Sequence, residues 1–169
     1  TNTVLGAARS IVGADRVPLL SKELPAGGRR RSSGHRRGPV GRPEVVYLPA
    51  CVNTMFGSAV PQEETLEFSV LSLLAAAGVG VTVPQGIEAV CCGTPWKSKG
   101  MTTGYATMRR RVVDIMQEAT HDGELTVISD AVSCSEGFVH ELEYEGVTGI
   151  RVVDAVQYIA DELLPVLPD

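Results

Sequence analysis

Four cysteines are the residues of this sequence whose type and spacing could do chemistry. They occur as Cys51, the adjacent pair Cys91 and Cys92, and Cys134, with about 40 residues between successive groups. Thiolates bind soft metal ions and hold iron–sulfur clusters. The first residues lack a basic head and an apolar block, so we expect no secretory signal, and cytosolic thiols stay reduced unless they bind metal or do redox work. We therefore predict that the four thiols form the functional site.

The adjacent pair must lie in a turn. Successive side chains of a strand point to opposite faces, so Cys91 and Cys92 cannot both face one site from a regular strand. Gly93 follows directly and supplies the permissive backbone conformation that such a turn requires. The amide groups of a helix beyond the segment GTPWKSKGM, together with Lys97 and Lys99, would stabilise the negative charge of a thiolate or a cluster.

Strand and helix patterns alternate along the chain. Short β-branched runs predict strands at 44–48, 79–83, 125–129 and 150–153, and helical spacing predicts helices at 3–13, 62–77, 102–119, 135–144 and 154–164, the last capped by Asp154. The alternation predicts an α/β fold of βαβ units, with a mainly parallel sheet covered by helices on both faces. Sites in such sheets form beyond the carboxyl ends of the strands. Each cysteine group follows a predicted strand, so we expect the thiols to meet at one edge.

Three kinds of cysteine site remain open on the residues alone. Four buried cysteines can be inert core residues. Structural zinc sites usually pair their ligands as Cys-x₂₋₄-Cys, a pattern that this sequence lacks, and an adjacent Cys-Cys is a poor chelate for one tetrahedral ion. A cluster or redox site fits the loop chemistry that surrounds the adjacent pair better than either of these.

Three segments carry a family resemblance, and they occur in a fixed order. LPACVNTMFG, CCGTPWKSKGM and SDAVSCSEGF resemble the CCG cysteine-rich domain found in heterodisulfide reductases and in the iron–sulfur subunits of glycolate oxidase and lactate-utilisation enzymes. The segment CCGTPWKSKG is most similar to the fused bacterial D-lactate dehydrogenases that carry FAD. The resemblance covers about 44–169, and the residues before it resemble the inter-domain connector of those proteins.

The resemblance implies an oxidoreductase. Cys51, Cys91, Cys92 and Cys134 would be cysteine ligands of an iron–sulfur cluster or the thiols of a redox site, with zinc as the alternative. FAD would bind an upstream part of the same protein and oxidise a 2-hydroxy acid such as D-lactate or glycolate, and a ferredoxin-like domain would lie between. Electrons would pass to a quinone or cytochrome. The location implied is cytoplasmic, with peripheral attachment to the inner membrane face as the alternative.

One position departs from the family pattern. The fullest version of the third motif ends in Cys-x-x-Cys; Cys134 matches its second cysteine, and Ala131 stands in place of the first. The chain therefore offers four thiols where the cluster-binding version has five. The unusual cluster of heterodisulfide reductase does not follow from this set, whereas a simpler four-thiolate cluster, a metal ion or a disulfide does.

Charge divides the chain into two parts. Residues 1–43 carry nine Lys or Arg and two acids, whereas residues 44–169 carry six and eighteen. The run GGRRRSSGHRRGPVGRP lacks apolar periodicity, so it is predicted to bury nothing and to act as a solvated linker. The domains expected are an N-terminal helix with a basic linker at 1–43 and the cysteine-rich domain at 44–169. The acidic body argues against nucleic-acid binding. No apolar run is long enough to span a membrane. The missing initiator Met suggests a piece of a longer protein.

Several other side chains are weaker candidates for the functional site. His35 is expected to be solvated, Asp130 to cap a turn, and the run 109–111 to form a solvated helix face. His140 is a candidate for contact behind the thiols. Trp96 and Tyr105 are expected to pack in the ordinary way, with a wall of the site as the alternative. His121 is expected at a helix end, where the helix dipole favours it. The Gly-x-Gly at 78–80 belongs to a helix-to-strand turn, so we expect no FAD site here.

Overall fold

The computed structural model describes residues 2–17, 27–31, 36–37, 45–57 and 64–167 of the chain. Its α-helices are α1 (Asn2–Val12), α2 (Val52–Met55), α3 (Leu66–Ala76), α4 (Thr94–Ser98), α5 (Thr102–Thr120), α6 (Val132–Tyr144) and α7 (Ala155–Tyr158). A 3₁₀ turn spans Ile87–Ala89, and α7 continues into a π-helical turn at Ile159–Leu163.

The sheet is mainly parallel, as the alternation of elements predicts. β2 (Val45–Leu48) is its central strand and pairs in parallel with β3 (Val81–Thr82) and with β4 (Thr126–Ser129). β5 (Val152–Asp154) extends the parallel sheet beyond β4, and β1 (Arg36–Arg37) adds an antiparallel edge strand to β3. Helices flank this sheet, so the α/β fold class is confirmed.

The residues of β2 explain its central position. All four of its side chains, from Val45 to Leu48, are at most 1% exposed. A strand of a parallel sheet that is covered on both faces carries a continuous apolar run instead of an alternating one. Helix α5 packs on β2 and β4, while α6 packs on β4 and β5. The core therefore lies around the strands that lead to the cysteines.

The helix boundaries agree with the sequence predictions at most ends. Asp154 caps α7 and accepts a hydrogen bond from the Val156 amide at 2.9 Å, as expected. His121 ends α5 in the left-handed region, with a φ of 53°. Helix α6 begins three residues earlier than predicted, because Cys134 already donates its amide to the Ala131 carbonyl at 2.8 Å. Cys134 therefore lies in the first turn of a helix and not in the loop before it.

Part of the basic segment packs against the body of the chain. The expectation that this segment buries nothing is wrong at Arg31, which is only 8% exposed. The guanidinium can be buried because backbone carbonyls accept its hydrogen bonds. Residues 36–37 form the edge strand, whereas His35 lies outside the described residues. The domain boundary at 43 stays a prediction.

The longest helix of the described residues is α5, which has 19 residues and carries the arginines at 109–111. Within those residues, no helix combines the length and the apolar character that crossing a bilayer requires.

Candidate thiol site

The four cysteines lie where three neighbouring parallel strands deliver them. Cys51 directly precedes α2, three residues after the end of β2. Cys91 and Cys92 lie between the 3₁₀ turn and α4, on the connection that follows β3. Cys134 lies in α6, after β4. Because β3, β2 and β4 are adjacent in the sheet, the connections that leave them meet at one edge.

The structure brings the four thiols within interaction distance of one another. The strongest interactions join Cys51 with Cys91 and Cys92 with Cys134. All four are free thiols; Cys92 and Cys134 are buried, while Cys51 and Cys91 are partly exposed. The expected meeting of distant cysteines therefore takes place, and each pair joins two different connections of the fold.

The two thiols of each pair have different pKa values. The interaction with Cys91 lowers the pKa of Cys51 to about 6, helped by the charge of Arg31 and opposed by burial. The interaction with Cys134 lowers the pKa of Cys92 to about 6, again against burial. Cys91 and Cys134 have raised pKa values, because the partner sulfur and the partial loss of water contact both favour the protonated thiol. Each pair therefore contains one thiol that ionises more readily than the other.

The turn that carries the adjacent pair is held on two sides. Gly93 adopts a φ of 72°, as the predicted turn requires. The Cys91 amide donates to the Met108 sulfur of α5 at 3.3 Å. On the other side α6 approaches so closely that a Cβ on Gly137 would lie 2.8 Å from the Cys92 carbonyl oxygen. The Thr94 amide and hydroxyl both favour the Cys92 thiolate, and the Thr94 oxygen lies 3.4 Å from the sulfur.

Asp130 positions the connection that carries Cys51. Its carboxylate accepts hydrogen bonds from the Ala50 amide at 2.7 Å, the Tyr47 hydroxyl at 2.6 Å and the Asn53 side-chain amide at 2.8 Å. Burial and the neighbouring carboxylate raise the pKa of Tyr47 far above its ordinary value, which keeps this hydroxyl a donor. The expected turn cap is therefore a bridge between two strand ends.

Arg31 lies beneath the Cys51–Cys91 pair and was not expected there. One of its terminal nitrogens donates to the Pro49 carbonyl at 3.2 Å, and the other donates to the Val90 carbonyl at 2.6 Å. Nothing in a run of basic residues distinguishes the one that is buried, so no sequence signal identifies this residue.

Glu141 is a second residue of the site that sequence reasoning missed. It is fully buried on α6, and neither oxygen has a hydrogen-bond partner. A Cβ on Gly93 would overlap one of these oxygens, so the carboxyl lies against the cysteine turn. Burial, followed by the charges of Cys92 and Cys91, raises the pKa of Glu141 to about 8. A signal existed, because Glu141 shares helical spacing with the buried Cys134 and Phe138.

A small open cleft of about 150 Å³ leads to Cys92. Its lining includes Cys92, Thr94, Lys97, Tyr105, Ser133 and His140. Tyr105 thus forms part of the wall beside Cys92, whereas Trp96 packs over Gly104. His140 is exposed at the rim of the cleft and pairs with Glu143 at 3.3 Å.

The basic run on α5 is not uniformly solvated. The expectation of a solvated face is wrong for Arg109, which is 6% exposed, and holds for Arg110 and Arg111. The Arg109 guanidinium lies 3.7 Å from the centre of the Tyr144 ring and pairs with Glu145. Stacking on an aromatic ring and pairing with a carboxylate offset the cost of burying this charge.

The donor atoms suit soft metal chemistry, but their arrangement is that of two pairs. The described residues hold no group of three His, Cys, Asp or Glu side chains arranged as ligands of a single metal ion. Four cysteine sulfurs, two of them thiolates, remain the donor set that iron–sulfur clusters use. The sulfur donors of the site therefore suit an iron–sulfur cluster, whereas their arrangement in two pairs suits dithiol chemistry.

The comparisons with known proteins add no relative to this description. No family model, no curated protein and no solved structure matches the chain.

Proposed function

We propose that this chain is the cysteine-rich redox domain of a larger FAD-linked oxidoreductase of the D-lactate or glycolate dehydrogenase kind. In this proposal the domain passes electrons from the flavin toward an acceptor and carries out no hydride chemistry itself. The proposal combines the three cysteine motifs of the sequence with the geometry of the thiol site.

One observation carries the proposal: four cysteines from three separate connections lie close enough to interact at one edge of a parallel sheet. Inert core cysteines have no need to meet, and a buried thiolate costs free energy unless a function or a ligand requires it. Here two thiols out of four have pKa values of about 6, and a buried arginine lies near one of them, Cys51. An electron-rich sulfur site with a compensating positive charge is what redox work with thiolates requires.

An iron–sulfur cluster is the cofactor proposed for the site. Cys51, Cys91, Cys92 and Cys134 would hold it, and the bound cluster would supply one-electron transfer. The chain's own contribution is to gather the four sulfurs, to keep two of them ionised and to shield Cys92 and Cys134 from water. Burial and nearby charge are also the features that set cluster potentials in proteins.

The rest of the proposed enzyme follows from the resemblance. FAD would bind upstream and oxidise the 2-hydroxy acid, a ferredoxin-like domain would connect the flavin to this site, and a quinone or cytochrome would take the electrons. We propose a cytoplasmic location, with attachment to the inner membrane face as the alternative.

A thiol–disulfide redox domain is the second candidate function. The specific observation in its favour is that the strongest thiol interactions join the cysteines two by two, with no three-ligand group among the described residues. Each pair would lose two electrons and two protons when its two sulfurs join as a disulfide, and would regain them on reduction. A zinc-stabilised structural domain is weaker, because zinc requires its ligands around one point.

Anaerobic reconstitution tests the cluster proposal. The chain is incubated with ferrous iron and sulfide, and iron content and visible absorption are measured. We expect bound iron with thiolate-to-iron absorption, and we expect Cys91→Ser and Cys134→Ser to lower both several-fold. Ser133→Ala is the matched control, because it changes an exposed residue beside Cys134 and leaves all thiols in place.

The same preparations discriminate the alternatives. Unchanged iron and absorption in the two cysteine variants would show that the ligand assignment is wrong. Absence of bound metal together with reversible oxidation of both thiol pairs would favour the dithiol domain. One tightly held zinc ion per chain, with no thiol open to oxidation, would favour the structural domain.

A further inference from the structure

The residues 27–31, here called the docking strap, run from the basic segment into the thiol site. Arg29 and Arg30 are exposed, whereas Arg31 is buried. These three adjacent arginines thus have different environments, because two are exposed and one is buried. Burying a guanidinium is unfavourable unless its donors are satisfied, so the buried position of Arg31 requires the acceptors that it finds.

Those acceptors are the carbonyls that come just before two cysteines. Pro49 precedes Cys51 by two residues, and Val90 directly precedes Cys91. One guanidinium therefore holds both connections that carry the first thiol pair. The planar fork of arginine can donate to two carbonyls at once, which a lysine ammonium on a flexible stem does with less geometric control.

The backbone of the strap also fits closely against the Cys51 connection. The Gly28 amide donates to the Thr54 carbonyl at 3.0 Å. A Cβ on Gly28 would overlap the Asn53 carbonyl oxygen, so no side chain fits at this position. A Cβ on Gly27 would have its nearest neighbour 3.9 Å away, which is ordinary contact. Gly28 is thus the point at which the strap requires glycine.

We propose that the docking strap is part of the thiol site and that Arg31 is its positioning residue, fixing the Cys51–Cys91 pair by bridging the two connections that carry these thiols. Both carbonyls that accept from Arg31 lie on the connections that carry Cys51 and Cys91, so the strap acts first on that pair. This inference rests on the proposed function only for the purpose of the thiols, and not for the way in which Arg31 positions them.

Oxidation of the reduced, metal-free chain of 169 residues tests the inference. The yields of the Cys51–Cys91 and Cys92–Cys134 disulfides after addition of a mild oxidant are measured by peptide mass spectrometry. We expect Arg31→Met to lower the Cys51–Cys91 yield several-fold, because the guanidinium no longer joins the two connections that carry these thiols. The yield of the Cys92–Cys134 bond should stay the same. Arg29→Met is the control, and Arg31→Lys should restore only part of the loss, because a lysine donates to two carbonyls with less geometric control.

A glycine pair tests the docking of the strap independently of the arginine charge. Gly28→Ala should displace the strap and lower the Cys51–Cys91 yield as Arg31→Met does, whereas Gly27→Ala should match the unmodified chain. An unchanged Cys51–Cys91 yield in Arg31→Met, or equal losses of both disulfides, would overturn the inference. Because no metal is present, the result is separate from iron uptake, on which the proposed function depends.

Discussion

The Asp130 carboxylate accepts a hydrogen bond from the Ala50 amide at 2.7 Å and thereby joins the end of β4 to the connection that carries Cys51. The contact links positions that are 80 residues apart in the chain. It places the first thiol beside the strand end that leads to Cys134. The register of the sheet allows it, because β2 and β4 pair in parallel and Leu48 lies opposite Ser129.

Asp130→Asn should destabilise the fold. The carboxylate accepts three hydrogen bonds on two oxygens, and the asparagine amide would replace one of these oxygens with a donor. Hydrogen bonds to charged groups contribute about 1.5–3 kcal/mol each, so we expect a loss of about 2–3 kcal/mol in the free energy of unfolding. Urea unfolding of the reduced chain measures it. Asp154→Asn is the control, because Asp and Asn cap helices about equally well, and an equal loss there would contradict the argument.

Mild oxidation of the metal-free chain should produce two defined disulfides. Because each thiol interacts most strongly with one other thiol, we expect Cys51–Cys91 and Cys92–Cys134 bonds, each formed by loss of two electrons and two protons to the added oxidant. Peptide mapping under non-reducing conditions identifies them. A dominant bond between the adjacent Cys91 and Cys92 would contradict the pairing, as would bonds between different chains at low protein concentration.

Removing Cys134 should make Cys92 less acidic. The hydrogen bond from Cys134 is the main cause of the lowered pKa of Cys92, so Cys134→Ala should raise that pKa from about 6 toward the ordinary thiol value of about 8.5. The pH midpoint of Cys92 alkylation reports the change independently of how easily the reagent enters. Cys91→Ala is the reciprocal control: it should move the midpoint of Cys51 and leave that of Cys92 in place.

The fold could be predicted from sequence because its signals are local and repeated. The β-branched run at β2 and the helical spacing of α5 each bury a continuous surface, so pattern and burial agree. The meeting of the thiols was also predictable, because each cysteine follows a strand and parallel strands end at one edge. These inferences need only the order of the elements.

The chemistry within the site depends on contacts that no local pattern encodes. Which of three adjacent arginines is buried depends on two carbonyls, one of them 59 positions further along the chain. The division of the thiols into pairs depends on how α5 and α6 hold the cysteine turn. Glu141 does leave a signal in its spacing, but a charged residue at a core position contradicts the usual pattern, so hydrophobic periodicity does not select it.

Arg109 should contribute stability that its neighbours on α5 do not. Its guanidinium stacks on Tyr144 and pairs with Glu145, whereas Arg110 is exposed. Stacking on an aromatic ring contributes about 0.5–2 kcal/mol, so Arg109→Met should lower the free energy of unfolding by about 1–3 kcal/mol once the ion pair is included. Arg110→Met should change it by less than about 0.5 kcal/mol. Equal effects of the two substitutions, measured by urea unfolding, would contradict the distinction.

Glu141→Gln should stabilise the chain increasingly as pH rises. Burial raises the folded-state pKa of Glu141 to about 8, whereas an unfolded glutamate titrates near about 4.3. The folded state therefore binds the proton more tightly, so this residue's stabilising contribution is complete below the unfolded value and is lost as pH rises through about 8. Glutamine cannot ionise, so the variant should equal or slightly trail the unmodified chain at pH 5 and exceed it at pH 9 by up to about 4 kcal/mol, since each pKa unit corresponds to about 1.4 kcal/mol.

Urea unfolding at pH 5, 7 and 9, in reductant and without metal, measures this difference. Glu136→Gln is the matched control, since it lies on the same helix but is exposed, and its effect should not depend on pH. The thiols titrate in both chains, so taking the difference between variant and unmodified chain removes most of their contribution. A constant difference for Glu141→Gln from pH 5 to pH 9 would show that the carboxyl ionises as freely in the folded chain as in water. Glu141 would then have to be exposed to water instead of lying buried against the cysteine turn.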